Sequence, residues 1–304
     1  MEKLFDLLKL AYRQRESIYR VGRLIRSLQG SFSVRKLVSV IVAFFEMFAC
    51  VISDSPVTPL GGELDLSGYS LVFEDEFNSD ALDMQAWSHR GLGPRRCGFN
   101  GASQVRVEDG KLVITGEYLE NGEYGPGWYV GMIKLNKQYK HGYFEIRCIC
   151  NKGADFWSAF WIQAEHPYDH SISQGGVGGA ELDIFESVSR YEDNRIYKDA
   201  VTSTVHCNGG DDDIEHIDSC MVGQFRGKNI HEEYNTYGLK WTEDEYIFYI
   251  NGVESGRTSF SKGVSDVPED VIVSLEIPDE GIRYEKDYKT EFIVDYVKIW
   301  QTDT

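Results

Sequence analysis

The chain has 304 residues, 42% hydrophobic and 13% aromatic, with a formal net charge of −18. That length holds one large domain plus an extension. The charge is uneven: residues 1–36 carry nine Lys/Arg against three Asp/Glu, a local +6 that leaves −24 for the remainder, and so acidic a domain repels phosphate backbones and excludes nucleic acid as an expected partner.

Residues 1–52 read as a helical extension. Apolar residues from Leu4, Leu7, Leu8 and Ala11 to Leu28 recur at helical spacing, with Arg and Lys on the remaining face, a pattern suited to a membrane surface or to packing on a domain. Leu37 to Ile52 follows, mostly apolar but interrupted by Glu46. It falls short of the ~20 residues of a full span. The charged region before it is too long for a cleavable signal peptide. An anchor or uncleaved export signal is the expectation, with a soluble packing helix as the alternative. Residues 53–67, with Pro56 and Pro59, read as a linker, and residues 68–304 as one domain.

From there the pattern is all-β. Short alternating runs such as Leu112-Val113-Ile114, Phe144–Ile149 and Phe292–Trp300 are separated by Gly, Asn and Asp. Tyr246–Ile250 followed by Asn251-Gly252 predicts a hairpin whose two turn positions need positive φ. So many strands in some 240 residues suit a two-sheet sandwich with a face for an extended ligand. Gly175–Gly179 lacks a following Lys-Ser/Thr and reads as an approach to the next strand rather than a phosphate loop. The six cysteines have no zinc-site spacing; Cys207 and Cys220 would suit a loop disulfide in an exported domain.

Glu181-Leu182-Asp183-Ile184-Phe185-Glu186 carries the chemistry. On a strand Glu181 and Asp183 share one face, while Glu186 has the wrong parity unless one residue is inserted as a β-bulge near Ile184 and Phe185. With the bulge, three carboxylates line one groove. Retaining glycoside hydrolysis needs two carboxylates about 5–5.5 Å apart, and a third between them helps to separate their pKa values. Acids alternating with apolar residues also describe any half-buried strand, so the surroundings decide.

Those surroundings resemble glycoside hydrolase family 16, the laminarinase and lichenase superfamily, from about Gly68 to Gln301. Leu71–Asn78, His141–Arg147 followed by Phe156–Trp161, the Glu181–Glu186 signature in its bulged form, Thr204-Val205-His206, Tyr237–Trp241 and Val294–Trp300 fall in the family's order. The resemblance implies an all-β, concanavalin A-like antiparallel jelly-roll sandwich. It implies Glu181 as nucleophile, Asp183 as assisting carboxylate and Glu186 as acid/base in a retaining, endo-acting hydrolase. Trp157, Trp161, Trp128, Asn100 and His206 are the candidate substrate-binding residues. No cofactor is required, and a structural Ca²⁺ would find Glu76 or Asp295. The partner is a polysaccharide, β-1,3- or mixed β-1,3/1,4-glucan first, and the acidic domain suits a neutral polymer better than a strongly sulfated one. The stretch Gly98–Gln104 is shorter than in glucanases of this type, which keeps other β-glycans open. Transglycosylation, agarase- or carrageenase-like hydrolysis and a non-catalytic binding module remain the alternatives. A monomer that is extracellular or at the cell surface, with residues 1–52 as its membrane contact, completes the expectation, and a soluble intracellular protein is the alternative.

Overall fold

The computed structural model describes residues 56–165, 175–187, 199–208, 217–259 and 263–303. The helical extension expected over residues 1–52 lies outside them. Among the described residues no helix is long and apolar enough to cross a membrane.

The first half of the domain supplies β1 (Tyr69–Asp75), β2 (Trp87–His89), β3 (Gly93–Arg95), β4 (Gly98–Asn100), β5 (Val105–Glu108), β6 (Lys111–Leu119), β7 (Gly127–Val130), β8 (Met132–Leu135) and β9 (Gly142–Ile149). The second half supplies β10 (Trp157–Gln163), β11 (Glu181–Glu186), β12 (Ala200–Asn208), β13 (Ile217–Arg226), β14 (Asn235–Trp241), β15 (Tyr246–Ile250), β16 (Val253–Thr258), β17 (Asp270–Glu276) and β18 (Lys289–Thr302). They form two sheets. One has eleven strands, with the path β16-β15-β14-β9-β18-β6-β7-β4-β3 and β1 and β5 attached to it. The other runs β13-β12-β11-β10-β17-β8-β2. Among the described residues all but one of the ladders are antiparallel; β4 and β7 run parallel. This is the two-sheet sandwich that the alternating runs predict.

Alternation decides which side chains fill the space between the sheets. On β9, Phe144, Ile146 and Cys148 are buried in the core while Glu145 and Arg147 point away. Leu182, Ile184 and Phe185 of β11 join the same core. Their burial contributes roughly 1.5–3 kcal/mol each, so a one-residue slip of β11 is strongly disfavoured. Asn251 and Gly252 take φ of 51° and 73°, the positive values that the Asn-Gly hairpin requires. Cys207 and Cys220 are both buried thiols not joined to each other; Cys220 pairs with Val205 and Cys207 with Asp218.

Residues 56–67 are more than a tether. Val57 forms a parallel bridge to Phe225 on edge strand β13, and Glu63 bridges Val253 on edge strand β16. Gly61 and Leu64 donate backbone hydrogen bonds to Glu254 and Gly252 at 2.9 and 2.8 Å. Leu64 and Leu66 cover an outer apolar cluster of Tyr143, Ile247 and Tyr249. One short segment thus protects an edge of each sheet. A chain beginning at Gly68 should melt about 10 °C below one beginning at Pro56, since buried Val57 and half-buried Leu64 and Leu66 together contribute roughly 3 kcal/mol. Equal midpoints in thermal unfolding would show that the segment adds nothing.

Candidate active site

The site begins with an irregularity in β11. Against β10, Phe160 pairs with Phe185 but Trp161 pairs with Asp183, so Ile184 is the additional residue. The register against β12 shifts between Asp183 and Glu186, Asp183 opposing Thr204 and Glu186 opposing Thr202. The bulge therefore lies where the parity of the three acids demands it. Glu181, Asp183 and Glu186 stand opposite Gln163, Trp161 and Ala159, on the face of the 7-stranded sheet turned away from the core. Met132, Ala159, Trp161 and Ile272, with Trp157 against them, form a small apolar cluster on that face.

Each acid is held differently. Gln163 donates to Glu181 Oε2, and Arg90 in turn donates to Gln163 Oε1. Asp183 is 5% exposed and its Oδ2 lies 3.1 Å from His206 Nε2. The other ring nitrogen of His206 meets Ser219 Oγ at 2.6 Å. Trp157 Nε1 donates to Glu186 Oε1 at 2.9 Å.

The electrostatics separate these groups. Burial, followed by the nearby Asp183 charge, pushes Glu186 up to about 8, while the Trp157 hydrogen bond opposes the shift. Glu186 is thus protonated at neutral pH. Burial alone would depress the His206 imidazole, but its hydrogen bond to Asp183 and the surrounding carboxylates outweigh that and raise it. Ligand atoms of Glu181, Asp183 and His206 lie within 4.8 Å of one another, close enough to hold a cation. With both His206 nitrogens already facing Ser219 and Asp183, the cluster reads as a hydrogen-bonded proton-handling set.

The other expected contact residues are distributed unevenly. Trp157 is half-buried at the open face, whereas Trp161 is only 7% exposed, with Nε1 bonded to Ser274 Oγ and the Arg90 guanidinium 4.8 Å above its ring. Asn100 is buried, and neither atom of its side-chain amide has a hydrogen-bond partner. Trp128 belongs to the core, edge-on to Tyr118 and Phe156, so its ring packs the sandwich rather than the site. The calcium expectation also meets an obstacle. Glu76 is bonded to Lys298 at 2.9 Å, and Asp295 is engaged by Lys111 at 2.7 Å and by Arg147. A cation at either carboxylate would have to displace a lysine or arginine, so these residues do not fit it.

Sequence reading missed Arg90, Arg95, Arg96, Gln163 and Glu276. For one of them a signal existed: Gln163 shares the parity of Trp157 and Trp161, whereas Glu276 lies opposite Trp157 on β17, a pairing that only the topology reveals. Arg90 and Arg96 come from connecting segments and Arg95 ends the three-residue β3, too short for alternation to give a direction.

A family model described as "Beta-porphyranase A-D, GH16 domain" matches residues 71–302. Endo-1,3-1,4-beta-glycanase ExsH of Rhizobium meliloti is 26% identical over 79% of this chain and 53% of its own length. A glucan endo-1,3-beta-glucosidase of Cryptopygus antarcticus is 26% identical over 76% of this chain and 91% of its own. The chain spans about a third to a half of three of the curated relatives it matches. Among solved structures, SCLam, a non-specific endo-beta-1,3(4)-glucanase from family GH16, superposes with a TM-score of 0.64 at 22% identity, covering 82% of this chain and 98% of that one. The laminarinase catalytic domain of Thermotoga maritima gives 0.61 at 18% identity, over 78% and 99%. These likenesses show the same sandwich.

Proposed function

Because the chain belongs to glycoside hydrolase family 16, we propose that it is an endo-acting, retaining hydrolase of β-linked polysaccharide, with β-1,3- or mixed β-1,3/1,4-glucan as the leading substrate. The observation that carries this reading is the bulge at Ile184, which turns Glu181, Asp183 and Glu186 to one face. Glu181, oriented by Gln163, attacks the anomeric carbon. Glu186, protonated at neutral pH, gives its proton to the departing glycosidic oxygen. A covalent glycosyl-enzyme forms; Glu186, now ionised, takes a proton from water, which attacks the same carbon and restores the configuration. Asp183 sits between the two, holding His206 and disfavouring charge on Glu186. Every step uses side chains of this chain.

The substrate name follows the relatives, which are named as an endo-1,3-1,4-beta-glycanase and as glucan endo-1,3-beta-glucosidases. A second reading, another β-glycan such as the one for which the family model is named, draws on Arg90, Arg95 and Arg96 at the open face. Guanidinium groups suit sugars carrying anionic substituents. A polymer of either kind does not enter a cell intact, so this reading places the enzyme outside the cytoplasm or at the cell surface.

A panel of laminarin, lichenan, agarose, carrageenan and porphyran, with product sizing and the initial anomer read by NMR, tests this. Mid-chain cleavage of one polymer with the β-anomer released first is expected. Inertness on the whole panel, or release of the α-anomer, would overturn the reading.

A further inference from the structure

Glu276 has no part in those steps, yet it is closely confined on the open face. It is 3% exposed, and its Oε2 accepts Arg95 Nε at 3.2 Å and Nη2 at 2.7 Å. Arg96 Nε lies 3.8 Å from the same oxygen. Its Oε1 is buried without a hydrogen-bond partner. A half-satisfied buried carboxylate is expensive to keep, and its neighbours indicate what it does. Arg95 ends β3 and Arg96 follows in the turn to β4, where its backbone takes φ of +48°, a left-handed conformation uncommon outside glycine. Cys97 donates its backbone N–H to Pro278 at 3.2 Å, fastening this turn to the chain just beyond β17. From there the Arg96 guanidinium stands 4.9 Å over the Trp157 ring, and Trp157 donates to Glu186. Glu276 and Trp157 face each other across β17 and β10.

We propose that Glu276 is a positioning residue for the acid/base: it fixes the Arg95–Arg96 turn, the turn clamps Trp157, and Trp157 holds Glu186 beneath the leaving-group oxygen. The proposal rests on the hydrolase reading. Glu186 is faced by Asp183 on its own strand, Trp157 on β10, Thr202 and His206 on β12, and Glu276 on β17. Glu276 therefore acts on Glu186 both through Trp157 and through its own negative charge, which favours retention of the proton.

The test compares wild type, Glu276→Gln and Arg96→Gly on two substrates: the polysaccharide cleaved in the panel, and an aryl glycoside of the same sugar whose dinitrophenolate leaves without a proton. Glu276→Gln should lose about tenfold in kcat/KM on the polysaccharide, a fraction of what general acid catalysis supplies. It should lose less than twofold on the aryl glycoside, and its basic pH limb should move to lower pH. Arg96→Gly relieves the left-handed residue, so its melting midpoint should be no lower than that of wild type while the same selective loss appears. Equal losses on both substrates, or an unmoved pH limb, would overturn the positioning role and leave the hydrolase reading intact. A wild type inert on every polysaccharide of the panel and on the matching aryl glycosides would overturn the hydrolase reading and this one with it.

Discussion

Glu181→Gln should lower kcat on the cleaved glycan by about four orders of magnitude, close to 5.5 kcal/mol in the barrier, while the melting midpoint and glycan affinity stay near those of wild type. The amide matches the carboxylate in shape and keeps a hydrogen bond to Gln163 after a flip, so β11 has no reason to move. What disappears is the nucleophile. A companion variant, Glu181→Gly, separates that role from a merely structural one. Removing the side chain opens space beside the anomeric carbon, and added azide should attack there to give the α-glycosyl azide from an activated aryl glycoside. Isothermal titration and product NMR read the two halves. Near-normal turnover by Glu181→Gln on every glycan the wild type cleaves would refute the assignment.

Glu186→Gln should lower kcat/KM on polysaccharide by about 10²–10⁴, the usual contribution of a positioned general acid. An aryl glycoside with a good leaving group should form the glycosyl-enzyme at nearly the wild-type rate and then accumulate it, because the base of the second step is missing. Wild-type activity should fall as pH rises through about 8, where Glu186 loses its proton. Asp183→Asn removes the charge that helps to hold that proton, so its basic limb should lie at lower pH. Stability has a matching dependence. Glu186 keeps its proton in the folded state up to about 8, whereas the unfolded carboxyl releases it near the ordinary value of about 4.3. Its contribution is therefore full below the unfolded value and is lost as pH rises towards 8. Glu269, raised to about 8 by burial, adds the same sign. Melting midpoints between pH 4.5 and 8 should decline with pH, and less steeply in Glu186→Gln.

The central part of this site was legible because strand parity is strict. Three acids with a two-residue gap can share a face only if one residue is extra, and Ile184 is that residue. The Asn251-Gly252 hairpin was legible for a similar reason, since few residue pairs accept two positive φ values. Parity has a limit: it sorts residues onto two faces without saying which face is covered. Trp128 lies in the core and Trp161 is nearly buried beneath Arg90, facts set by packing between elements distant in sequence. Charges showed the same limit. Glu76 and Asp295 look available in the sequence, yet Lys298, Lys111 and Arg147 reach them across strand neighbours that only the topology brings together. The hydrogen bonding of residues 61–64 along β16 was equally hidden, because proline-containing polar stretches look alike whether they dangle or pack.

The place of β18 has a consequence for how such a chain comes into being. The last strand in sequence lies in the interior of the larger sheet, pairing with β9 on one side and with β6 and β1 on the other. Strands separated by more than two hundred residues, such as β1 and β18, therefore meet only after residue 302 has been synthesised. Earlier strands have a gap where β18 belongs, and closing loops that long is slow. The domain cannot ripen from its N-terminus as a repeat protein does. It waits for its final segment, and until then every nascent chain exposes the edges of a divided sheet to chaperones, proteases and other copies of itself.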